Sequence, residues 1–276
     1  MRLSELGELG LLAELERAGL VQDIGHDAAE LEPGLIVTQD SLVEGVHFRL
    51  DWLSWRELGF RAAAVNISDL AASGARPQAL LVSLGVPSES ELDDVLELYA
   101  GIGEAGVPVR GGDTTRAGDI FVTVTAVGRA ERVPGRAGAR RGDRLVVTGP
   151  LGGAGAAFRE RRLARPPLRV DEGVELARQA HAMLDISDGL ARDAGHIAAR
   201  SRCRVVVELE RVPLAAGATH DDLGFGEDYE LLAATPDPLG FDVIGRCERG
   251  SGVEIRLQGR PVRLSGWDHF GLRESR

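Results

Sequence analysis

The 276-residue sequence contains no lysine; all 32 of its basic residues are arginine. This absence removes whole classes of chemistry. A GxxxxGK[ST] phosphate loop, a protein-kinase active site and a Schiff-base enzyme each need a lysine. Any phosphate handling must fall to arginine, backbone N–H groups and metal ions. Cysteine is almost as scarce. Cys203 and Cys247 are too few for a disulfide framework or a cysteine metal cluster, and each reads as a small apolar packing residue. Asparagine occurs once, in Asn66-Ile67-Ser68. That triplet matches the glycosylation pattern, which carries no weight in a chain read as intracellular. No run of about 18 apolar residues occurs, so no membrane helix is expected. Met1-Arg2-Leu3-Ser4-Glu5 lacks a basic stretch leading into an apolar core, and the expected location is the cytoplasm. The formal charge of -11 argues against nucleic acid as the main partner. It suits a protein that gathers divalent cations, although solubility alone accounts for it equally.

What is present is an alternation of helical and strand patterns. Residues 4–18 read as a helix, with Ser4 as N-cap, Leu6, Leu9, Leu12 and Leu15 at helical spacing, and Gly19 as its stop. Residues 35–38 read as a strand delivering Asp40. A long Ala-rich helix is expected over 55–73, its apolar character interrupted by Asn66, Ser68 and Asp69, with small residues implying close packing on a neighbour. A strand over 79–86, a helix opened by a capping box at Ser88 and a strand over 107–110 follow. Gly101-Ile102-Gly103-Glu104-Ala105-Gly106 matches GxGxxG but lies between a helix and a strand, the reverse of a dinucleotide site. Composition turns rich in Arg and Gly over 131–143, which places a boundary near 138 and predicts two domains, 1–138 and 139–276. In the second, helices are expected over 171–183 and from Leu190 to about Arg200, then strands from Arg204 onward. Ser187 reads as an N-cap and Asp188 as a first-turn carboxylate.

One stretch stands out. Arg110-Gly111-Gly112-Asp113-Thr114-Thr115-Arg116 follows a short apolar run and combines paired glycines, a carboxylate, hydroxyls and guanidinium groups. It reads as a loop for phosphate and Mg²⁺, although taken alone an ordinary strand-ending turn is the better reading. Asp27, Asp40, Asp69, Asp185 and Asp188 share its setting, each ending an apolar run beside Gly, Ser, Thr or Ala. If six such carboxylates converge, their repulsion calls for cations between them, and the neighbouring hydroxyls and glycines call for phosphate.

The same segments carry a family resemblance. Gly25-x-Asp27-Ala28-Ala29, Asp40-x-Leu42-Val43-Glu44-Gly45-Val46-His47-Phe48, Asn66-x-Ser68-Asp69-Leu70-Ala71-Ala72, the Gly112-Asp113 stretch, Asp185-Ile186-Ser187-Asp188-Gly189-Leu190, Gly226-Glu227-Asp228-Tyr229-Glu230-Leu231 and Gly266-Trp267-Asp268-His269-Phe270 occur in order. Together they resemble the thiamine-monophosphate kinase family, within the superfamily of aminoimidazole ribonucleotide synthetase and selenophosphate synthetase. The resemblance implies an α/β two-domain fold, an N-terminal sheet that pairs across a homodimer, and a C-terminal α/β domain. It implies transfer of the ATP γ-phosphoryl group to thiamine monophosphate with several Mg²⁺. Metal ligands implied are Asp27, Thr38, Gln39, Asp40, Asp69, Asp113, Asp185 and Asp188, with Asp113, Asp40 and Asp188 central to catalysis. Gly112, Asp113, Arg136 and Ser187 are expected at ATP, and His47, Glu227 and Trp267 at the thiamine phosphate. His26 and Gln39 depart from the family pattern, as does Phe225 where a glycine is usual. The chain is also short for the family around 158–170 and 217–225.

Chemistry agrees with the reaction. A phosphate-monoester oxygen is already anionic, so no general base is required; two polyanions must be neutralised and aligned. Rival readings are a selenophosphate synthetase-like or hydrogenase-maturation enzyme, and a non-catalytic ATP- or metal-binding module. The first lacks support because no N-terminal cysteine or glycine-rich arm is present.

Overall fold

A computed structural model describes residues 2–22, 24–264 and 266. The chain opens with α1 (Leu3–Arg17), one residue earlier than its leucine spacing predicts, with Arg2 at the N-cap and a break at Gly7, whose φ is 72°. Five strands follow: β1 (Ala29–Glu32), β2 (Leu35–Val43), β3 (Ala75–Val86), β4 (Val109–Arg116) and β5 (Phe121–Ala130). They form one sheet in the order β1-β2-β5-β3-β4, antiparallel except for the parallel β3–β4 pair. The helices between β2 and β4 are α2 (Trp55–Ala72) and α3 (Leu92–Gly103).

α2 is nearly all buried, and its small residues permit this. A Cβ at Gly59 would fall on the Leu98 carbonyl oxygen, and one at Gly101 on that of Arg56, so the α2 and α3 backbones touch. Ser54 and Glu57 close a capping box at its start, with Ser54 N donating to Glu57 Oε2 at 2.7 Å. The N-cap of α3 is Glu91; the Ser88 hydroxyl instead donates to Glu89.

The second sheet comprises β6 (Arg144–Val147), β7 (Ala182–Asp185), β8 (Arg204–Glu208), β9 (Leu231–Thr235), β10 (Asp242–Glu248), β11 (Gly252–Leu257) and β12 (Arg260–Val262). Their order is β12-β11-β8-β10-β6-β9-β7. Three helices join them: α4 (Gly153–Arg159), α5 (Val170–Ala177) and α6 (Leu190–Ser201). α5 is shorter than predicted, because the apolar run Ala182-Met183-Leu184 is a buried strand, a short pattern that periodicity does not separate from helix.

Side-chain alternation divides the second sheet into two cores. Leu145, Val147, Leu184, Val205 and Val207 pack under Leu190, Ala194 and Ile197 of α6. Val146, Met183, Leu231 and Ala233 face the other way, against Leu176 and Ala177 of α5 and Ala71 and Ala72 at the end of α2. A Cβ at Gly173 of α5 would fall on the Ala71 carbonyl oxygen. The end of α2 is therefore seated on the second sheet while its body lies on the first. Among the described residues no helix is long and apolar enough to cross a membrane.

Candidate active site

The polar residues that interrupt α2 each have a specific partner. Asn66 is 0% exposed; its Oδ1 accepts from Asp40 N at 2.9 Å and its Nδ2 donates to Ala62 O at 2.9 Å. Its burial also closes it to glycosylation. Ser68 Oγ donates to Asp185 Oδ2 at 2.6 Å, across to the end of β7. Asp69 Oδ2 accepts from Thr38 Oγ1 of β2 at 2.6 Å, and the same hydroxyl lies 3.1 Å from Asp27 O.

These bonds bring Asp27, Asp69 and Asp185 together, with carboxylate oxygens within 4.8 Å of one another. The three come from a loop, a helix end and a strand end, drawn from both sheets' surroundings. Burial first, and then the charges of Asp40, Asp185 and Asp27, pushes Asp69 well above the usual carboxylate range. Burial and then Asp27 raise Asp185 to about 8, against the Ser68 bond and Arg136. Asp40 thus stands close enough to act on both. Arg136 Nε donates to Asp27 Oδ1 at 3.2 Å and supplies the nearest positive charge. A cluster of hard oxygens so short of positive charge fits a divalent cation such as Mg²⁺.

His26, a departure from the family pattern, accepts from Arg136 N through Nδ1 at 3.2 Å. Burial chiefly holds its pKa low, which keeps that nitrogen an acceptor. His26 therefore fastens the turn that carries Arg136.

Ser187 and Asp188 do not cap α6. Gly189, at φ 106°, holds the N-cap position, and Asp188 N donates to Asp193 Oδ2 at 3.1 Å. Asp188, Asp193 and His196 form a second group within 4.8 Å, and Arg192 Nε lies 3.2 Å from Asp188 Oδ2. Asp193 escaped the sequence reading because a carboxylate in the first turn of an amphipathic helix looks like an ordinary dipole partner. Its signal is position: it lies on the buried side.

The Glu227 loop leans on this segment. Glu227 N donates to Ser187 O at 2.8 Å, and Tyr229 N to Ile186 O at 2.9 Å. Glu227 and Tyr229 have φ of 59° and 52°, a left-handed conformation that non-glycine residues rarely adopt. At Gly226, φ 86°, a Cβ would fall on Ser187 O. Phe225, the third departure, lies 4.8 Å from the Phe158 ring, which lies 5.2 Å from Trp52. Three rings thus link the loop after β2, which holds His47, to the loop that holds Glu227. His47 Nδ1 accepts from Val43 N at 3.1 Å. Trp267 lies outside the described residues.

Asp113 and Gln39 lie elsewhere. The glycine-rich stretch is strand β4, not a loop. Pairing places Asp113 beside Ser83, Ser83 beside Thr123, and Thr123 beside Ser41, a polar row on the face turned away from α2. Gln39, on the same face, accepts from Thr125 Oγ1 at 2.8 Å. From β2 to β4 is three strand spacings, ~14 Å. Within one chain, Asp113 does not meet the aspartate triad.

Residues 25–130 match the family model for the N-terminal domain of AIR synthase related proteins, and residues 140–255 match that for the C-terminal domain. The thiamine-monophosphate kinase of Aquifex aeolicus is 35% identical over 98% of this chain and 100% of its own length. That of Mycobacterium tuberculosis is 32% identical over 98% and 93%. A solved structure of AaThiL complexed with AMPPCP and TMP superposes with a TM-score of 0.87 at 34% identity, covering 98% of this chain and 99% of that one. The hydrogenase maturation protein HypE, in its complex with HypF, shares the fold at 18% identity and a TM-score of 0.78, over 92% of this chain and 99% of its own. With both domain models matched in order and full-length relatives above 30% identity, the chain belongs to the thiamine-monophosphate kinase family of AIR synthase related proteins.

Proposed function

We propose that this protein transfers the γ-phosphoryl group of ATP to thiamine monophosphate, forming ADP and thiamine diphosphate. The observation that carries the reading is the half-buried Asp27–Asp69–Asp185 triad, assembled where α2 meets the second sheet. In this reading Asp27, Thr38, Asp40, Asp69, Asp185 and Asp188 hold Mg²⁺. Bound there, Mg²⁺ would neutralise phosphate charge. Arg136 and Ser187 sit beside the triad, on the ATP side. His47, Glu227 and Trp267 serve the thiamine end.

The acceptor oxygen carries its charge before reaction, so the chain needs no base and its task is alignment. Thr38 and Ser68 orient Asp69 and Asp185, and Asn66 fixes the Asp40 backbone. Asp113 and Gln39 join the same chemistry only if a second copy packs on their face of the first sheet, so homodimer formation and the role of Asp113 stand together; Gly112 lies in the row of Val82, Val124 and Asp40, on the opposite face. The two-domain division at 138/139 is part of this reading.

The test is an assay of purified protein with ATP, thiamine monophosphate and Mg²⁺, reading ADP and thiamine diphosphate. No turnover under these conditions overturns the assignment. Asp113→Ala is expected to abolish turnover with an unchanged circular dichroism spectrum; normal turnover would remove Asp113 from the metal site.

A further inference from the structure

Arg61 is the one cation on the buried stretch of α2, and its side chain is only 2% exposed. Nη1 donates to Ala164 O at 2.9 Å, from the segment between α4 and α5. Nη2 stands 2.8 Å from Glu227 Oε2 in an ion pair, and among the described residues Nε has no acceptor. The guanidinium carbon lies 5.7 Å from the centre of the Tyr229 ring. Burying a guanidinium with unused donors is costly. Here it joins three elements at one carboxylate, and that carboxylate remains 24% exposed.

The placement along α2 gives this contact a consequence. Ser68 follows Arg61 by seven residues, two helical turns on the same stripe, or ~10 Å along the axis. Arg61 reaches Glu227 from one end of that stripe and Ser68 reaches Asp185 from the other. One rigid, buried helix thus sets the distance between the Glu227 carboxylate and the triad. Glu227 is held underneath by its backbone bond to Ser187, in a left-handed conformation that leaves its side chain to be steered from the side.

We infer that Arg61 is a positioning residue, which through Glu227 fixes the cationic end of the acceptor substrate relative to the phosphate-transfer centre. This rests on the reading that Glu227 meets the thiamine end of thiamine monophosphate. A carboxylate held through one oxygen by a buried cation presents its other oxygen to a cationic ring in a restricted direction. A freely rotating carboxylate would lose that alignment.

Steady-state kinetics on Arg61→Met, Arg61→Lys, Glu227→Gln and the Arg61→Met/Glu227→Gln double variant test this. Arg61→Met should raise the KM for thiamine monophosphate on the order of ten-fold while the KM for ATP stays within about two-fold. Arg61→Lys, which keeps the charge, should recover most of that loss. The double variant should be no worse than Glu227→Gln alone, because Arg61 acts through Glu227. Should Arg61→Met fail to fold, Arg61→Gln carries the same criteria. A lower melting temperature with both KM values unchanged would mean a packing role and overturn the inference. So would losses that multiply in the double variant. An unchanged KM for thiamine monophosphate in Glu227→Gln would instead sink the assignment of Glu227, and an absence of wild-type turnover would sink the activity itself.

Discussion

Asp185 shows what one residue bears in this site. Its carboxyl is 3% exposed, bonded to Ser68 and crowded by Asp27. The folded value of about 8 lies above the ordinary 3.8, so the folded state holds a proton that the unfolded chain has released between those two values. The stability this group contributes is fully present below about pH 4 and lost as pH rises through about 8. In protein stripped of divalent cations, melting temperature should therefore fall over that window. Asp185→Asn removes the ionisation, and at pH 8 should raise the metal-free melting temperature by about 3–6 °C while abolishing turnover. Equal slopes of melting temperature against pH in the two proteins would contradict the burial of that charge. Asn66 makes the opposite case. Asn66→Ala takes the side-chain acceptor from Asp40 N, while Ala62 O keeps its helical bond to the backbone of residue 66, and should cost roughly 1–3 kcal/mol, read as a lower urea midpoint at unchanged slope.

At the scale of elements, the close crossing of α2 and α3 depends on where glycine falls. Gly101→Ala drives a methyl group into the Arg56 carbonyl, whereas at Gly103, two residues on, no described residue lies within 4 Å of the same position. The first substitution should cost about 2 kcal/mol or more, and the second should be neutral or gain up to about 1 kcal/mol from helix propensity. Equal denaturation midpoints would show that the crossing relaxes without loss. The same stretch clarifies what a sequence discloses. The GxGxxG match has the wrong context for a dinucleotide site, and Gly101 is a packing glycine, with Gly106 a turn at φ 74°. α2 is legible as one long Ala-rich apolar run, and most strands as short apolar runs bounded by turn residues. β4 was not, since nearly all of it is exposed and polar, so no alternation marks it as a strand. The cap of α6 was misplaced for a related reason. Ser187 and Asp188 have the chemistry of caps, yet their backbone groups are engaged by Glu227 and Asp193 across the fold. The motifs located the triad, because each aspartate ends an apolar run. They did not reveal that Asp113 lies on the opposite face, since strand pairing is not local.

For the whole molecule, the triad exists only while the two sheets keep their relative position. Asp27 and Asp69 belong to the first half of the chain and Asp185 to the second, and between them lies the apolar seat of Ala71, Ala72, Leu176, Ala177 and Met183. Gly173 is the tightest point of that seat, with the Ala71 carbonyl where its Cβ would be. Gly173→Ala should push α5 from the end of α2 and widen the gap between Asp69 and Asp185, while each sheet keeps its own core. The expected result is a loss of turnover of roughly a hundred-fold, the scale set by a displacement of about 1 Å in an alignment-limited reaction. The rise in melting temperature that Mg²⁺ produces at pH 8 should shrink in the same variant, since a spread triad binds the cation less well. Far-ultraviolet circular dichroism should be unchanged. If Gly173→Ala keeps both full turnover and the full Mg²⁺ shift, the seat between the sheets does not set the triad's geometry, and the loops carrying Asp27 and Arg136 must do so instead.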